Sequence, residues 1–285
     1  MEHPRRLVLA ALVLLAFPFL FLRPDSRARL RAELARLPAR IRAATLTRGH
    51  SHNDYEQERP LEDALVNGFS SVEADIWIHD GLLQVSHLGL LYRGTLEELY
   101  LAPLQRRVDR FGSVYGDGRP FLLWLDIKDG SKRLPGELQR LLARYPMFTR
   151  FGGEGGERPG PVTAVLTGDP IKSAYVDGFP ERYACRDGLG FDPSDPPASS
   201  DDSWCWYAIS WGDLVSWGGD GPIPAAEHEK LERVVRGVHS KGRRLRIFGA
   251  PDNPAVWAEE LRTGVDLVGT DRLPAAANWL GAHGG

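Results

Sequence analysis

The sequence predicts an α/β fold, a (β/α)8 TIM-barrel-like domain preceded by an N-terminal hydrophobic segment. Three observations predict it. Strand-like runs recur at 45–49, 71–77, 121–127, 162–167, 182–186, 206–210, 244–248 and 265–269, and helical patterns separate several of them. Strands alternating with helices indicate a parallel sheet, and eight strands suggest closure. Residues 45–285 number 241, close to the roughly 250 typical of such a barrel.

The elements follow in order. Pro60 opens a helix whose apolar face is Leu61, Ala64 and Leu65, with Gly68 as its stop. A second helix runs from about Ala225 to Lys241, turning Leu231, Val234, Val235 and Val238 inward, and Gly242 ends it. A third spans roughly Pro254–Arg262 and stops at Gly264. The fifth strand run, 182–186, is weak. After it, Gly188–Ser203 is too polar and too rich in proline to form core, and is expected to cover one mouth of the domain.

Residues 1–22 read as a signal or membrane anchor. Arg5 and Arg6 precede an apolar run from Leu7 to Leu22, broken only by Pro18. The run is shorter than the roughly 20 residues of a spanning helix, and Arg-Pro-Asp-Ser-Arg-Ala makes a poor cleavage site, which favours an uncleaved anchor. Residues 23–44 read as a basic linker helix, with Leu30, Leu34, Leu37 and Ile41 at helical spacing among arginines. Such a helix either lies on an anionic membrane surface or is a solvated connector. The arginines after Leu22 outnumber those before it, which opposes export. The expected location is membrane-anchored or exported, with an extracytoplasmic domain preferred.

Charge narrows the function. The formal net charge is −3, yet residues 1–44 carry nine Arg against three acids, leaving 26 basic and 35 acidic side chains in residues 45–285. An acidic domain is a poor binder of phosphate backbones, so no nucleic-acid partner is expected. Two cysteines exclude a disulfide scaffold and a four-cysteine zinc module. Cys185 and Cys205 flank the proline-rich loop and are either a disulfide of an oxidising compartment or two free thiols.

Active residues of such barrels lie at the C-terminal ends of strands. The first run leads into Gly-His-Ser-His-Asn-Asp-Tyr, residues 49–55. The second carries Glu73 and Asp75, whose alternation directs both carboxylates to one face. A turn at Asp80-Gly81 returns the chain through Leu83–His87 to the same end, and the third run carries Asp126 and Lys128. Inward carboxylates in an apolar strand must be neutralised. A divalent cation is the simplest partner, and the all-oxygen set Glu73, Asp75 and Asp126 suits Mg²⁺ or Ca²⁺ better than zinc. The alternative is ion pairing with Lys128 and an arginine.

This constellation, with Ser-Val-Glu-Ala-Asp at 71–75 and Gly-Val-Asp-Leu-Val-Gly-Thr-Asp at 264–271, resembles the superfamily of phosphatidylinositol-specific phospholipases C and glycerophosphodiester phosphodiesterases. Ser-His-Asn-Asp-Tyr and Pro-Leu-x-x-Ala-Leu are similar, more narrowly, to a branch named in fungi for altered inheritance of mitochondria. The resemblance covers about residues 45–275. It implies a phosphodiesterase with two catalytic histidines and one divalent ion. His52 and His87 match the histidines, with His50 a rival for the first place, and Lys128 matches the lysine near the phosphate. Glu73, Asp75, Asp126 and Asn53 match the metal ligands. In glycerophosphodiesterases Arg follows the first histidine and Asp commonly follows the second; Asn53 and Leu88 stand there in this chain, which counts against a glycerophosphodiester substrate.

The expected chemistry is general acid and base catalysis by two imidazoles on a phosphodiester small molecule or lipid headgroup, with membrane association. The rival is a catalytically silent barrel that binds a phosphorylated ligand or partner at the membrane. A glycosidase using Glu73 and Asp126 leaves the histidines and Lys128 without roles. Asp271 is expected either to orient a neighbour or to cap a loop, and Trp211 either to contact ligand or to pack.

Overall fold

In chain order the strands are β1 (Leu46–Ser51), β2 (Phe69–His79), β3 (Leu82–Val85), β4 (Gly94–Thr95), β5 (Phe121–Ile127), β6 (Phe151–Gly152), β7 (Val162–Gly168), β8 (Glu181–Arg182), β9 (Ala184–Leu189), β10 (Trp204–Ser210), β11 (Arg244–Phe248) and β12 (Val268–Thr270). They come from a computed structural model that describes residues 45–284. The expected anchor, residues 1–22, and the expected linker helix, residues 23–44, lie outside the described residues. No helix among the described residues is long and apolar enough to cross a membrane.

Eight strands pair in parallel in the order β11-β10-β9-β7-β5-β2-β1-β12. A single parallel bridge, Arg246 to Leu267, joins the two ends and closes the ring, with Asp266 N donating to Leu245 O at 3.0 Å. The barrel expected from the sequence is therefore present, with all eight expected strands. Parallel strands are covered on both faces, which is why they read as apolar runs. Outside, helices bury the larger apolar cluster around Phe69, Leu123, Leu125 and Leu166. Inside, alternate residues Leu122, Trp124, Val165, Cys185, Trp206, Ala208 and Leu267 fill the ring.

That alternation sets the floor of the mouth. On β2 and β5 the registered pairs are Ser71 with Leu122, Glu73 with Trp124, and Asp75 with Asp126. Each is one layer higher than the last, so the apolar interior gives way to carboxylates toward the C-terminal ends. Where β7 ends, Gly168 has φ +81°, and a Cβ there would lie 2.1 Å from Asp126 Oδ1. Only glycine lets Asp126 fold over that strand end.

The expected helices form as α1 (Glu62–Val66), α6 (Ala225–Ser240) and α7 (Pro254–Thr263), joined in the described chain by α2 (Ala102–Phe111), α3 (Leu134–Leu142), α4 (Ile171–Gly178), α5 (Trp211–Leu214) and α8 (Leu273–His283). Asn53 opens a 3-10 turn and Asn253 caps α7 by accepting from the amides of Ala255 and Val256. The crossover from β9 to β10 has no α-helix. Its proline-rich loop is instead fastened at the N-terminal end of the barrel, where Ala198 N donates to Lys241 O at 2.8 Å and Arg243 Nη2 to Pro196 O at 3.1 Å. A Cys185–Cys205 disulfide, with Cα atoms 5.9 Å apart, ties β9 to β10 across the same crossover. Of the two states open in the sequence, the structure holds the paired one.

Candidate active site

The acidic trio is built by strand alternation and is buried. Glu73 and Asp75 are enclosed, and Asp126 is partly so. Each carboxylate has one oxygen engaged. Glu73 Oε1 accepts from Arg246 Nη2 at 2.6 Å, and Asp126 Oδ2 accepts from Lys128 Nζ at 2.7 Å. Asp75 Oδ2 accepts from Tyr55 Oη at 2.9 Å and lies 3.3 Å from Lys128 Nζ and 3.1 Å from His87 Nδ1. The second oxygen of each acid, Glu73 Oε2, Asp75 Oδ1 and Asp126 Oδ1, is buried without a hydrogen-bond partner.

These surroundings move the acids apart in strength. Burial opposes ionisation of Glu73, but Arg246 and then His50 outweigh it and hold the carboxyl well below its usual range. Asp75 is pushed up to about 6, first by burial and then by Asp126. Asp126 is raised by burial, against the pull of Lys128. Lys128 is raised because Asp126 outweighs the cost of burying an ammonium.

The two candidate histidines of β1 separate cleanly. His50 is buried, its Nδ1 is 2.8 Å from Ser71 Oγ and its Nε2 is 3.6 Å from Glu73 Oε2. Burial and then Arg246 push it down to about 4, so it is neutral and packs behind Glu73. His52 sits beyond the strand end and is accessible; its Nδ1 is 2.8 Å from Asp271 Oδ1 and its Nε2 is 3.8 Å from Glu73 Oε2. Burial lowers its proton affinity, but Asp271 and then Glu73 raise it further. Asp271 thus orients an imidazole, one of its two expected roles. Its own backbone amide donates to Asp252 Oδ2 at 3.1 Å, which also accepts from Thr270 Oγ1.

His87 stands across the trio at the end of the β2–β3 excursion, half exposed, with Nδ1 3.1 Å from Tyr55 Oη. Asn53, at φ 43°, turns its side-chain oxygen to within 3.1 Å of the same hydroxyl. His52, Asn53, Glu73, Asp75, His87, Asp126 and Lys128 therefore converge on one mouth. Around His52 it forms a cavity of about 170 Å³ whose wall includes Arg246, Gly249, Asp252 and Asp271. Trp211 is buried in the packing of the outer helices, and so takes the packing role of its two alternatives.

Sequence reasoning missed three contributors. Arg246 crosses the barrel interior, its guanidinium 4.6 Å from the Trp124 ring centroid, to reach Glu73. Tyr55, in the motif that carries His52, joins Asn53, Asp75 and His87 through one hydroxyl. Asp54, buried, accepts from Ser51 Oγ, Leu61 N and Tyr100 Oη at 2.7, 2.6 and 3.0 Å, and so fixes the backbone that presents His52. The ion-pairing alternative is realised with Lys128 and Arg246, and no three His, Cys, Asp or Glu side chains among the described residues are arranged as they stand to hold a metal.

Comparison with known proteins agrees with the resemblance. Residues 40–115 match the AIM6-like phosphodiesterase domain. The resemblance read from the sequence is borne out. Over 276 residues the chain is 28% identical to altered inheritance of mitochondria protein 6 of Eremothecium gossypii, covering 82% of this chain and 69% of that one. It is 27% identical over 272 residues to the protein of that name from Lachancea thermotolerans, covering 79% of this chain and 63% of that one. This chain thus spans about two thirds of their length. Among solved structures, a glycerophosphodiester phosphodiesterase from Agrobacterium tumefaciens aligns over 82% of this chain and 98% of its own, with a TM-score of 0.49 and 15% identity. A phosphodiesterase of Oleispira antarctica, in complex with its product sn-glycerol-3-phosphate, aligns over 82% and 96% with a TM-score of 0.48 and 13% identity.

Proposed function

We propose that the barrel is a metal-dependent phosphoric diester hydrolase that acts on a phospholipid or glycerophosphodiester-type substrate, with His52 and His87 as its acid–base pair. The observation that carries this reading is the placement of the two accessible imidazoles on either side of one acidic trio, His52 beside Glu73 and His87 beside Asp75. Diester hydrolysis needs a proton taken from the attacking hydroxyl and one delivered to the leaving alkoxide, and two imidazoles facing one floor supply both. Lys128, partly exposed, offers its ammonium to a phosphoryl oxygen. Asp271 holds the His52 ring by Nδ1 and leaves Nε2 toward the floor.

The donor set fits a hard divalent cation despite the ion pairs. Three buried, unpartnered carboxylate oxygens lie in the neighbouring positions Glu73, Asp75 and Asp126, and the raised Asp75 and Asp126 share the single ammonium of Lys128. These three, with the Asn53 amide oxygen, would hold Mg²⁺ or Ca²⁺, which when bound supplies charge stabilisation to the phosphoryl group. Arg246 would keep Glu73 ionised beneath it. The apolar run 7–22 and the disulfide support an anchored or exported, extracytoplasmic protein.

The test is a panel of phosphodiesters assayed after EDTA and again after Mg²⁺ or Ca²⁺ is restored. Turnover is expected to vanish and return, and His52→Ala or His87→Ala is expected to lower it by about a thousandfold or more. Turnover that survives chelation would remove the metal; absence of turnover on every diester would leave the silent phosphate-binding barrel.

A further inference from the structure

Asp271 cannot hold an imidazole still by itself. Its side chain is 63% exposed, and its carboxylate has one partner among the described residues, His52. An exposed pair of this kind contributes little. The strand before it adds little more. β12 has three residues and pairs with β1, while toward β11 the only ladder contact among the described residues is the bridge of Leu267 with Arg246. Asp252, in the loop between β11 and α7, spans that gap. Its Oδ2 accepts from Asp271 N at 3.1 Å and from Thr270 Oγ1 at 3.0 Å. Its Oδ1 accepts at 3.0 Å from Nε1 of Trp257, which is buried on α7. The amide of His52 donates to Thr270 O at 3.1 Å, so His52 and its acceptor are both tied to residues 270–271.

Resting on the phosphodiesterase reading above, we infer that Asp252 is a positioning residue of the reaction: its carboxylate clasps the ends of β11 and β12 together and sets the Asp271 carboxylate that orients His52. Two features select this role. Asp252 lines the cavity around His52, yet both its oxygens are engaged by protein donors, unlike the second oxygens of the acidic trio, so neither is bare for a substrate or a cation. Its donors are the backbone of Asp271 and the hydroxyl beside it, so losing the clasp moves the residue that holds the ring. A misplacement of about 1 Å is enough to slow a reaction that depends on an aligned proton carrier.

The experiment compares the full chain with Asp252→Ala, Asp252→Asn, Asp271→Asn and the double variant Asp252→Ala/Asp271→Asn. On a diester that the panel above shows to be turned over, Asp252→Ala is expected to lower kcat about tenfold with little change in KM. Asp252→Asn, whose amide oxygen still accepts from Asp271 N, is expected to recover most of that loss. The double variant is expected to be no slower than Asp271→Asn, because both changes act through one imidazole. An unchanged kcat in Asp252→Ala, or losses that multiply in the double variant, would overturn the clasp. Should the alanine form not fold, Asp252→Glu, which keeps the charge and displaces the oxygens by a methylene, takes its place with the same expectation. A second readout needs no turnover. The proton between His52 Nδ1 and Asp271 gives a low-field NMR resonance, assigned by its displacement in Asp271→Asn; it is expected to be lost or displaced in Asp252→Ala and kept in Asp252→Asn. If the unaltered chain hydrolyses no diester, the phosphodiesterase reading fails on its own, and an unchanged resonance in Asp252→Ala would still overturn the clasp.

Discussion

The same barrel buries acids beside cations in two ways. Asp187, on β9, is enclosed with Lys172 of α4; Oδ1 accepts from Lys172 Nζ at 2.6 Å and Oδ2 from Thr167 Oγ1 at 2.6 Å, so both oxygens are satisfied. The trio of Glu73, Asp75 and Asp126 shares Arg246 and Lys128 and leaves one oxygen of each acid empty-handed. The first cluster is closed and braces two strand ends. The second is open, and its spare electron pairs are what chemistry can use. Burial and charge are alike in both; satisfaction separates a brace from a site.

Breaking the closed cluster should have the largest effect. Lys172→Met leaves Asp187 buried and uncompensated, and is expected to cost about 3–5 kcal/mol in urea denaturation. An intact midpoint would mean that Asp187 finds another cation or a proton. Next comes the open cluster's imidazole. Asp271→Asn replaces the charged acceptor that raises His52 with a neutral amide, so the His52 pKa measured by NMR should fall, and turnover should drop by about ten- to a hundredfold with little change in the denaturation midpoint. No movement of the His52 resonance would detach Asp271 from the mechanism.

The smallest effect sharpens the comparison with a third acid. Glu260, on α7, is fully buried with neither carboxylate oxygen partnered, and burial raises it well above its usual value despite Arg48. The folded state therefore keeps a proton that the unfolded chain loses near 4.5, so this group's favourable contribution is complete below that pH and is lost as pH rises. Glu260→Gln abolishes the loss. Thermal melts of the two proteins should diverge above pH 5 in favour of the variant, by up to about 1.4 kcal/mol per pH unit. Parallel curves would show that Glu260 does not hold its proton.

Much of the barrel was legible because its strands are sheathed on both faces and so are written in apolar residues. β9 was the weakest to read and lies two to three residues beyond its expected place, and the cause is now visible. It turns Cys185 and Asp187 inward, one into a disulfide and the other onto Lys172, so its sequence Ala-Cys-Arg-Asp-Gly-Leu never looks like core. The carboxylates were readable from strand alternation, and His87 was placed at their end by the turn at Asp80-Gly81 and singled out by the resemblance. Arg246 was not, because Arg-Leu-Arg-Ile-Phe suggests a strand with its arginines in water, whereas Arg246 points into the ring. An inward acid on one strand calls for an inward cation on another, and no local pattern says which strand supplies it. The choice between His50 and His52 likewise depended on depth: one ends inside the wall and the other just beyond it.

The seam between β11 and β12 has a mechanical consequence. Elsewhere around the ring at least three residues pair across each neighbour, but there a lone bridge at Arg246 completes the circle. The cavity that holds His52 is cut beside this joint, and Arg246 belongs to both. The wall is thus least secured by backbone pairing beside that cavity, while the other seven seams hold the carboxylates in register.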